Sequence, residues 1–382
     1  MIKMIKFLGY IVKFLPALIS TVVAFASVFS ASDARLSEEI AEQIQRISDL
    51  NQAYSSGEIA PVDEASFFDG NLEAELEAGI KFNELSFIAT HNSYQTVSTD
   101  TTKKLYRHLS DLTFGLVKPN KADFESETLT DQLNCGIRSF EIDIEVFDRD
   151  GDISFTCMHS PNIEMTTSCY DFALAMKEIA MWSDNNPDHL PITVIIEPKE
   201  TFLPLEDMKK FNIGYADEFD SVLRETLGEK LFTPDDMLRD YASFGEMRKA
   251  DDWCKVNDML GKVLILLHEC NTTEKYIAAD ETLRSQAMFP MLREEDIERD
   301  CASFILMNKP DELLGIQDAV IDENKLIVRT RTDKFTEVTD ERYELAMESK
   351  ANIVSTDYPP RTDNTADSYV VTFNGKTVRK VK

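Results

Sequence analysis

From about residue 84 onward, the chain repeats one pattern, in which a short apolar run is followed by a segment with the apolar spacing of an amphipathic helix. Helical spacing is clearest at 170–182, 217–227 and 341–349. Strands that alternate with helices pair in parallel, and eight of them match the size of a (β/α)8 barrel. The eight runs lie at 85–89, 137–146, 153–157, 192–196, 263–267, 304–307, 326–328 and 353–354.

We therefore predict an α/β fold, a somewhat irregular (β/α)8 TIM barrel. The irregularity is the connection between the second and third runs, which is too short to contain a helix. In such a barrel the active site lies at the carboxyl ends of the strands. Because polar side chains stand at or near the ends of the first four runs, we expect these residues to form one site: His91, Asn92, Glu141, Asp143, His159 and Glu197.

The second run carries acidic side chains on one face. Because side chains alternate along a strand, Glu141, Asp143 and Glu145 share one face and the apolar residues share the other. Burial of carboxylates is costly unless they are paired or bind a cation, so Glu141 and Asp143 are candidate ligands of a hard metal such as calcium. The alternative is an exposed edge strand with solvated acids.

In the fourth run, Glu197 and Lys199 also share a face. Glu197 is a candidate to complete the oxygen shell of the cation, and the amide oxygen of Asn92 suits calcium as well. Lys199 is a candidate to contact a substrate phosphate. The alternative for this pair is a plain ion pair between Glu197 and Lys199.

Two histidines, His91 and His159, follow the first and third runs. A neutral imidazole takes or gives a proton near pH 7. One ring would remove a proton from a nucleophilic hydroxyl and the other would protonate the leaving oxygen, while a cation offsets charge on the phosphoryl oxygens. For His91 alone, the alternative is a histidine that caps a turn.

Arg329 and Arg331 share one face of the seventh run. Two guanidinium groups on one face suit phosphate recognition, and the alternative is ion pairing with nearby acids. Asp357, after the last run, is a candidate to bind substrate hydroxyls or to hold an arginine.

The formal net charge of −29 repels nucleic-acid phosphates, so we expect no nucleic-acid partner. The same charge disfavours binding to anionic membranes, and we expect transient contact with a membrane surface at most. We expect a monomer.

The six cysteines fit an oxidising compartment. Cys157 and Cys169 flank the segment that contains His159, and a bridge between them would fix a loop at the site. Pairings among Cys254, Cys270 and Cys301 remain open.

The first residues have the layout of a secretory signal peptide, with lysines, a long apolar stretch and then small residues. We therefore expect a secreted or periplasmic protein, or a membrane-anchored one if the segment is not cleaved. The predicted divisions are a signal peptide or anchor at 1–32, a partly helical leader at 33–83, the barrel at 84–362 and a tail at 363–382.

Taken together, the motifs of the predicted site resemble those of a known family, the bacterial calcium-dependent phosphoinositide phospholipase C-like phosphodiesterases of the PLC-like TIM-barrel superfamily. The resemblance spans residues 84–360 and rests on an ordered set of motifs: Thr90-His91-Asn92-Ser93-Tyr94, Arg138-Ser139-Phe140-Glu141-Ile142-Asp143, Met158-His159, Ile196-Glu197-Pro198-Lys199, Val328-Arg329-Thr330-Arg331-Thr332-Asp333 and Ser355-Thr356-Asp357-Tyr358-Pro359.

The resemblance implies that His91 and His159 form the catalytic pair. It also implies a calcium shell and a set of substrate contacts. The shell would be Asn92, Glu141, Asp143 and Glu197, and the contacts would be Lys199, Arg329 and Arg331. Metal-free bacterial relatives carry an arginine where this chain has Asp143, which favours a metal here.

The implied reaction is attack of the inositol 2-hydroxyl on phosphorus, with loss of diacylglycerol and formation of a cyclic inositol phosphate. The substrate is then a phospholipid or a soluble phosphodiester. Two alternatives remain, a glycerophosphodiester phosphodiesterase and a barrel that binds phosphorylated polyols without turnover. The first usually has His-Arg-Gly in place of His91-Asn92-Ser93, which argues against it.

Overall fold

The computed structural model describes residues 32–96, 103, 107, 126–159, 167–200, 204, 207–334, 337–362 and 369–381. Apart from Ser32, the predicted signal segment lies outside these residues. Within the described part of the chain, no helix is both long enough and apolar enough to cross a bilayer.

The strands are β1 Phe68–Asp69, β2 Leu85–Thr90, β3 Ser139–Arg149, β4 Asp152–Cys157, β5 Ile192–Pro198, β6 Met208–Lys209, β7 Val263–Leu267, β8 Met288–Leu292, β9 Phe304–Leu306, β10 Ile327–Arg331, β11 Asp333–Lys334, β12 Glu337–Val338, β13 Ile353–Thr356 and β14 Val378–Lys380. The α-helices are α1 Ser32–Ser56, α2 Leu72–Glu77, α3 Leu129–Asn134, α4 Phe172–Asn185, α5 Ile213–Leu227, α6 Pro234–Leu238, α7 Phe244–Lys249, α8 Thr273–Ala279, α9 Pro310–Gln317 and α10 Asp340–Glu348.

Eight parallel strands form the barrel, in the order β2, β13, β10, β9, β8, β7, β5 and β3. Their residues are almost all buried, and helices such as α4 and α5 pack outside them. The carboxyl ends of all eight strands therefore point to the same end of the barrel, which confirms the predicted fold class.

The assignment of the third run as a barrel strand was wrong. β4 is the antiparallel partner of the far half of β3, from Ile144↔Cys157 to Arg149↔Asp152. The missing barrel strand is β8, which pairs in parallel with β7 and β9. Since a hairpin needs only a short connection, the short link between the second and third runs is explained.

The barrel is irregular between β2 and β3, which share no ladder among the described residues. β14 instead pairs antiparallel with the first half of β2, and β1 pairs with β14. Gly136, just before β3, has φ +85° and lies so close to Phe67 and Thr377 that a Cβ would clash with both. Parts of the predicted leader and tail thus complete the wall of the barrel, while the predicted domain boundaries stay predictions.

All six cysteines are free thiols in the structure. Cys157 and Cys169 are fully buried and close to each other, and burial raises the pKa of Cys157 well above its usual 9.0. The predicted bridge is therefore not formed, although the two thiols are neighbours.

Candidate functional site

The loop after β2 is attached directly to β3. Ser93 donates its backbone N–H to the carbonyl of Glu141 (2.9 Å), and the Ser93 hydroxyl accepts the N–H of Glu141 (2.9 Å). The turn places Asn92 at φ +47°, in the left-handed region that asparagine tolerates better than most residues. These bonds hold His91 and Asn92 beside the acidic face of β3, across the gap in the barrel.

Three carboxylates meet at this end of the barrel. Glu141 and Asp143 from β3 and Glu197 from β5 each offer an oxygen, and these oxygens all lie within 4.8 Å of one another. The register Asp143↔Glu197 explains why, because directly paired residues of neighbouring strands project to the same face. We call these three residues the acid cluster. Glu141 and Asp143 are buried, so the alternative of an exposed edge strand is wrong.

Two cationic side chains contact the acid cluster. Lys199 Nζ lies 2.9 Å from Asp143 Oδ2 and 2.8 Å from Glu197 Oε1. Arg329 donates to Glu141 Oε2, and it also contacts Asn308 and Ser355. The arrangement keeps buried charges paired, as their desolvation requires.

The acids respond differently to these neighbours. Burial raises the pKa of Asp143 to about 6 in spite of the Lys199 charge. For Glu197, burial also acts upward, but the charges of Lys199, His268 and Arg329 and the hydrogen bond from Lys199 together lower the pKa to about 2. For Glu141, burial again acts upward, but the charges of Arg329, His91 and His268 together lower the pKa. Asp143 is thus the acid whose charge is least compensated.

The donor set fits a calcium ion. Asn92 Oδ1 and Asp143 Oδ1 are buried and accept no hydrogen bond from any described residue. Unsatisfied buried oxygens are uncommon in folded proteins and call for an explanation such as an ion. Carboxylate and amide oxygens are the ligands that calcium takes at flexible geometry.

His91 is held in one orientation by its Nδ1 edge. Nδ1 lies 2.7 Å from Asp357 Oδ1, and Nε2 faces Glu141 Oε1 at 3.9 Å. Burial, together with the nearby Arg331 charge, holds the pKa of His91 well below its usual 6.5. A neutral ring that donates Nδ1–H to Asp357 presents the Nε2 lone pair on the side of the acid cluster.

Asp333 organises this side of the site and was not among the predicted site residues. Its carboxylate accepts hydrogen bonds from Arg331 Nη2 (2.9 Å), the Thr356 hydroxyl (2.7 Å), the Thr332 hydroxyl (3.0 Å) and the backbone N–H of Asp357 (2.9 Å). We call Arg331, Asp333, Thr356 and Asp357 the Asp333 network. Its place at the end of the quoted Arg329–Asp333 motif was the available signal.

Arg331 and Arg329 make ion pairs with protein acids in the described structure. Arg331 Nη2 lies 2.9 Å from Asp333 Oδ1 and 3.4 Å from Asp357 Oδ2, next to the His91 ring. The ion pairs expected as the alternative to phosphate recognition are therefore present, and contact with a substrate stays a prediction for both arginines.

His159 lies just beyond the end of β4 and is half-buried. It is within electrostatic reach of Asp143, whose pKa a positive His159 would lower. β4 and β5 lie on opposite sides of β3 in the sheet. His159, which follows β4, and Glu197, which lies on β5, therefore approach the acids of β3 from opposite sides.

A third imidazole belongs to the same end of the barrel. His268 directly follows β7, donates its backbone N–H to Ile196 O (2.9 Å), and acts electrostatically on Glu197 and Glu141. His268 was not among the predicted site residues. Its position after a strand run was the same signal that identified His91.

A family model described as phosphoinositide phospholipase C, Ca2+-dependent, matches residues 152–382. The chain belongs to this family. It is therefore a phosphoric diester hydrolase of the phospholipase C type, from a calcium-dependent family, with an acidic triad that could hold the ion. The matched residues include His159, Glu197 and Asp357, and the fold joins them to His91 and the acids of β3.

Two solved structures of bacterial phospholipases C have a similar fold. A calcium-dependent phosphoinositol-specific phospholipase C from Pseudomonas sp., in a myo-inositol complex, has 20% sequence identity and a TM-score of 0.56, and the alignment covers 84% of this chain and 100% of that chain. A calcium-dependent phosphatidylinositol-specific phospholipase C from Streptomyces antibioticus has 18% identity and a TM-score of 0.51, with 72% and 94% covered. No match is found among curated protein sequences.

Proposed function

We propose that this phospholipase C family member cleaves phosphatidylinositol-type phosphodiesters through a cyclic inositol phosphate, with acid–base catalysis by His91 and His159. The observation that carries the proposal is the position of the His91 ring. It is fixed by Asp357 on one edge and faces Glu141 of the acid cluster with the other.

His91 acts as the base in this scheme. Because its pKa is lowered and Nδ1 is engaged with Asp357, Nε2 is available to take the proton of the inositol 2-hydroxyl. His159 then protonates the leaving oxygen of diacylglycerol. Two alternatives use the same site. In one, His159 is the base and His91 is the acid; in the other, a carboxylate of the acid cluster is the base.

Asn92, Glu141, Asp143 and Glu197 are the residues that would hold calcium. When bound, the ion would stabilise negative charge on the phosphoryl oxygens. The unsatisfied oxygens of Asn92 and Asp143 support this assignment. Lys199, Arg329, Arg331 and Asp357 border the same space and are the proposed substrate contacts, each after exchange of a present ion pair.

If the segment 1–32 is a cleaved signal peptide, the enzyme meets its substrate outside the cytoplasm. It then acts as a secreted or periplasmic monomer. N-terminal sequencing of the mature protein from its host tests the cleavage. A mature protein that starts at Met1 contradicts it.

The activity is tested with purified protein, vesicles that contain phosphatidylinositol, and soluble glycerophosphoinositol, each with calcium or with a chelator. We expect release of diacylglycerol and a cyclic inositol phosphate that stops when calcium is removed. Release of free inositol from the soluble diester alone, with glycerol phosphate as the other product, would identify a glycerophosphodiester phosphodiesterase. Binding of inositol phosphate without any product would identify a non-catalytic barrel.

The acid role is tested by His159→Ala, with His268→Ala, an imidazole that follows β7 at the same end of the barrel, as a matched control. We expect His159→Ala to abolish turnover and to leave calcium affinity nearly unchanged, because His159 is not a proposed ligand. His268→Ala should keep most of the activity. Wild-type turnover in His159→Ala would exclude His159 as the acid.

A further inference from the structure

The segment Thr167–Asp171 bridges two parts of the site. One is the loop after β2, which begins with His91, and the other is the end of β4, which His159 follows; we call these the His91 loop and the His159 loop. Towards the His91 loop, Ser168 donates its backbone N–H to Tyr94 O (2.7 Å), and Thr167 forms an isolated bridge with Gln95. Towards the His159 loop, Tyr170 O accepts the N–H of Cys157 (2.8 Å). We call Thr167–Asp171 the connecting segment. A shift of this segment would move both histidine loops relative to each other.

Helix α1 holds the connecting segment from the outside. Gln43, only 1% exposed, makes two bonds with the backbone of Asp171: Nε2 donates to Asp171 O (3.0 Å), and Oε1 accepts Asp171 N–H (2.9 Å). Arg46 donates to Ser168 O and to Glu178 Oε2. The segment is thus fixed at both ends by two side chains one helical turn apart.

Glu178 on α4, the ion-pair partner of Arg46, is also bonded to another helix of the barrel. Glu178 is fully buried, and its other oxygen accepts the N–H (3.1 Å) and the hydroxyl (3.0 Å) of Thr130. A buried carboxylate without its cation is strongly unfavourable, so the Arg46–Glu178 pair fixes where α1 can dock.

The remaining contacts of α1 are modest. Between residues 38 and 56, only Gln43 and Tyr54 are buried. Ile40 packs, partly exposed, against a small cluster of Phe147, Met158 and Tyr170, and Met158 directly precedes His159. Since little apolar area is buried, the polar bonds of Gln43 and Arg46 set the register of the helix on the barrel.

We infer that α1 is a positioning element of the active site, and that Gln43 and Arg46 set the position of His159 through the connecting segment. This rests on the proposed role of His159 in turnover. The activity of the barrel then depends on a helix of the leader whose described side chains, from residue 38 onward, lie outside the acid cluster and the Asp333 network.

The test uses the full chain with calcium at saturation. Gln43→Leu removes both bonds to Asp171 and keeps the volume of the side chain, and Arg46→Met is compared with Arg46→Lys, which retains the charge. The control is Gln45→Ala on the exposed face of α1, where the side chain bonds only to Asp49. We expect kcat to fall about 10- to 100-fold for Gln43→Leu and Arg46→Met, since small misplacements of catalytic groups have effects of this size. KM and calcium affinity should change little, and Arg46→Lys should recover part of kcat.

A second readout does not depend on activity. Cys169 is buried within the connecting segment and Cys157 is buried beside it. Loosening of the segment should therefore raise the alkylation rate of both thiols, measured peptide by peptide under native conditions. Cys254, buried elsewhere in the barrel, is the internal reference and should not change.

Raised alkylation together with lowered kcat supports the inference. It is overturned if alkylation of Cys157 and Cys169 stays at the wild-type rate, or if it rises while kcat stays unchanged. A failure of the proposed function is seen separately, as full activity of His159→Ala. If His159→Ala is inactive and Gln43→Leu is fully active, only the positioning role fails.

Discussion

Around β10 and β13, the carboxylate of Asp333 accepts four hydrogen bonds, whereas between β3 and β5 the Oδ1 atom of Asp143 accepts none from the described residues. Both carboxylates are buried at the same end of the same barrel. The Asp333 carboxylate is thus hydrogen-bonded at both oxygens without a ligand. The acid cluster is held together by Lys199 and Arg329.

The difference in hydrogen bonding between Asp333 and Asp143 indicates two functions, orientation of the His91 ring and binding of a cation. The Asp333 carboxylate holds Asp357, and through it the His91 ring, in a fixed orientation, and this function depends on the hydrogen bonds that the carboxylate accepts. The acid cluster has a buried oxygen that accepts no hydrogen bond from the described residues, and one acid whose pKa is raised. A bound dication would stabilise the ionised form of that acid. We therefore expect substitutions on the two sides to fail in different ways.

The largest effect should come from Asp143→Asn. It removes a charged ligand of the proposed calcium shell, and we expect calcium affinity to fall by about 100-fold or more, because even changes to outer-shell partners of metal ligands cost about 10- to 100-fold. Turnover at limiting calcium should fall with it. Calorimetric calcium titration gives the affinity.

Asp148→Asn is the control for this change, because Asp148 lies on the same strand beyond the acid cluster. Equal calcium affinity in Asp143→Asn and in the wild type would remove Asp143 from the shell and weaken the distinction between the two sides.

A smaller loss with the opposite pattern is expected for Asp357→Asn. An asparagine can donate to Nδ1 and so favours the wrong tautomer of His91. We expect kcat to fall about 100-fold, within the usual range for loss of general-base function, while calcium affinity stays within a few-fold of wild type. Steady-state kinetics at saturating calcium and calorimetry on the same samples measure both. Parallel losses of affinity and kcat would show that the two sides are not separate in function.

Lys199→Met tests how the acid cluster is held without calcium. Since Lys199 Nζ contacts Asp143 and Glu197, its ion pairs compete with calcium for the same oxygens. We expect calcium affinity to rise about tenfold, which corresponds to about 1.4 kcal/mol. In chelator, the melting temperature should fall. Lys209→Met, an exposed lysine on β6, is the control.

The same variant separates the two roles considered for Lys199. A higher KM for substrate at saturating calcium would support a substrate contact. Unchanged calcium affinity with unchanged KM would contradict both roles.

The sequence pattern was sufficient for the barrel because seven of its eight strands coincide with runs recognised in the sequence. β8 was missed since Pro290 stands in the middle of the strand, and proline argues against a central strand. The run that became β4 was misassigned because a short apolar run does not distinguish a parallel from an antiparallel partner.

For the site, the acids of β3 were predictable from their alternation alone, whereas the Asp333 network was not. Asp333 meets Thr356 and Asp357, which lie 23 and 24 positions further along the chain, and no local pattern indicates which polar groups will meet. The same holds for α1. Its polar sequence predicts a helix, but the bonds of Gln43 to a residue 128 positions away depend on the tertiary fold.

The last prediction concerns pH and returns to Asp143. Calcium binds the ionised carboxylate, and burial raises the pKa of Asp143 to about 6 without the ion, so a proton competes with calcium below that value. Affinity should be nearly constant from pH 8 to 7, fall about twofold at pH 6 and approach a tenfold loss per pH unit below it. Calcium titrations of the wild type between pH 5 and 8 measure this, and Lys199→Met should shift the fall to higher pH, because the ammonium that favours the ionised acid is gone. A flat affinity down to pH 5 would mean that Asp143 is ionised throughout, and that the two sides of the site do not differ in the way their charges are compensated.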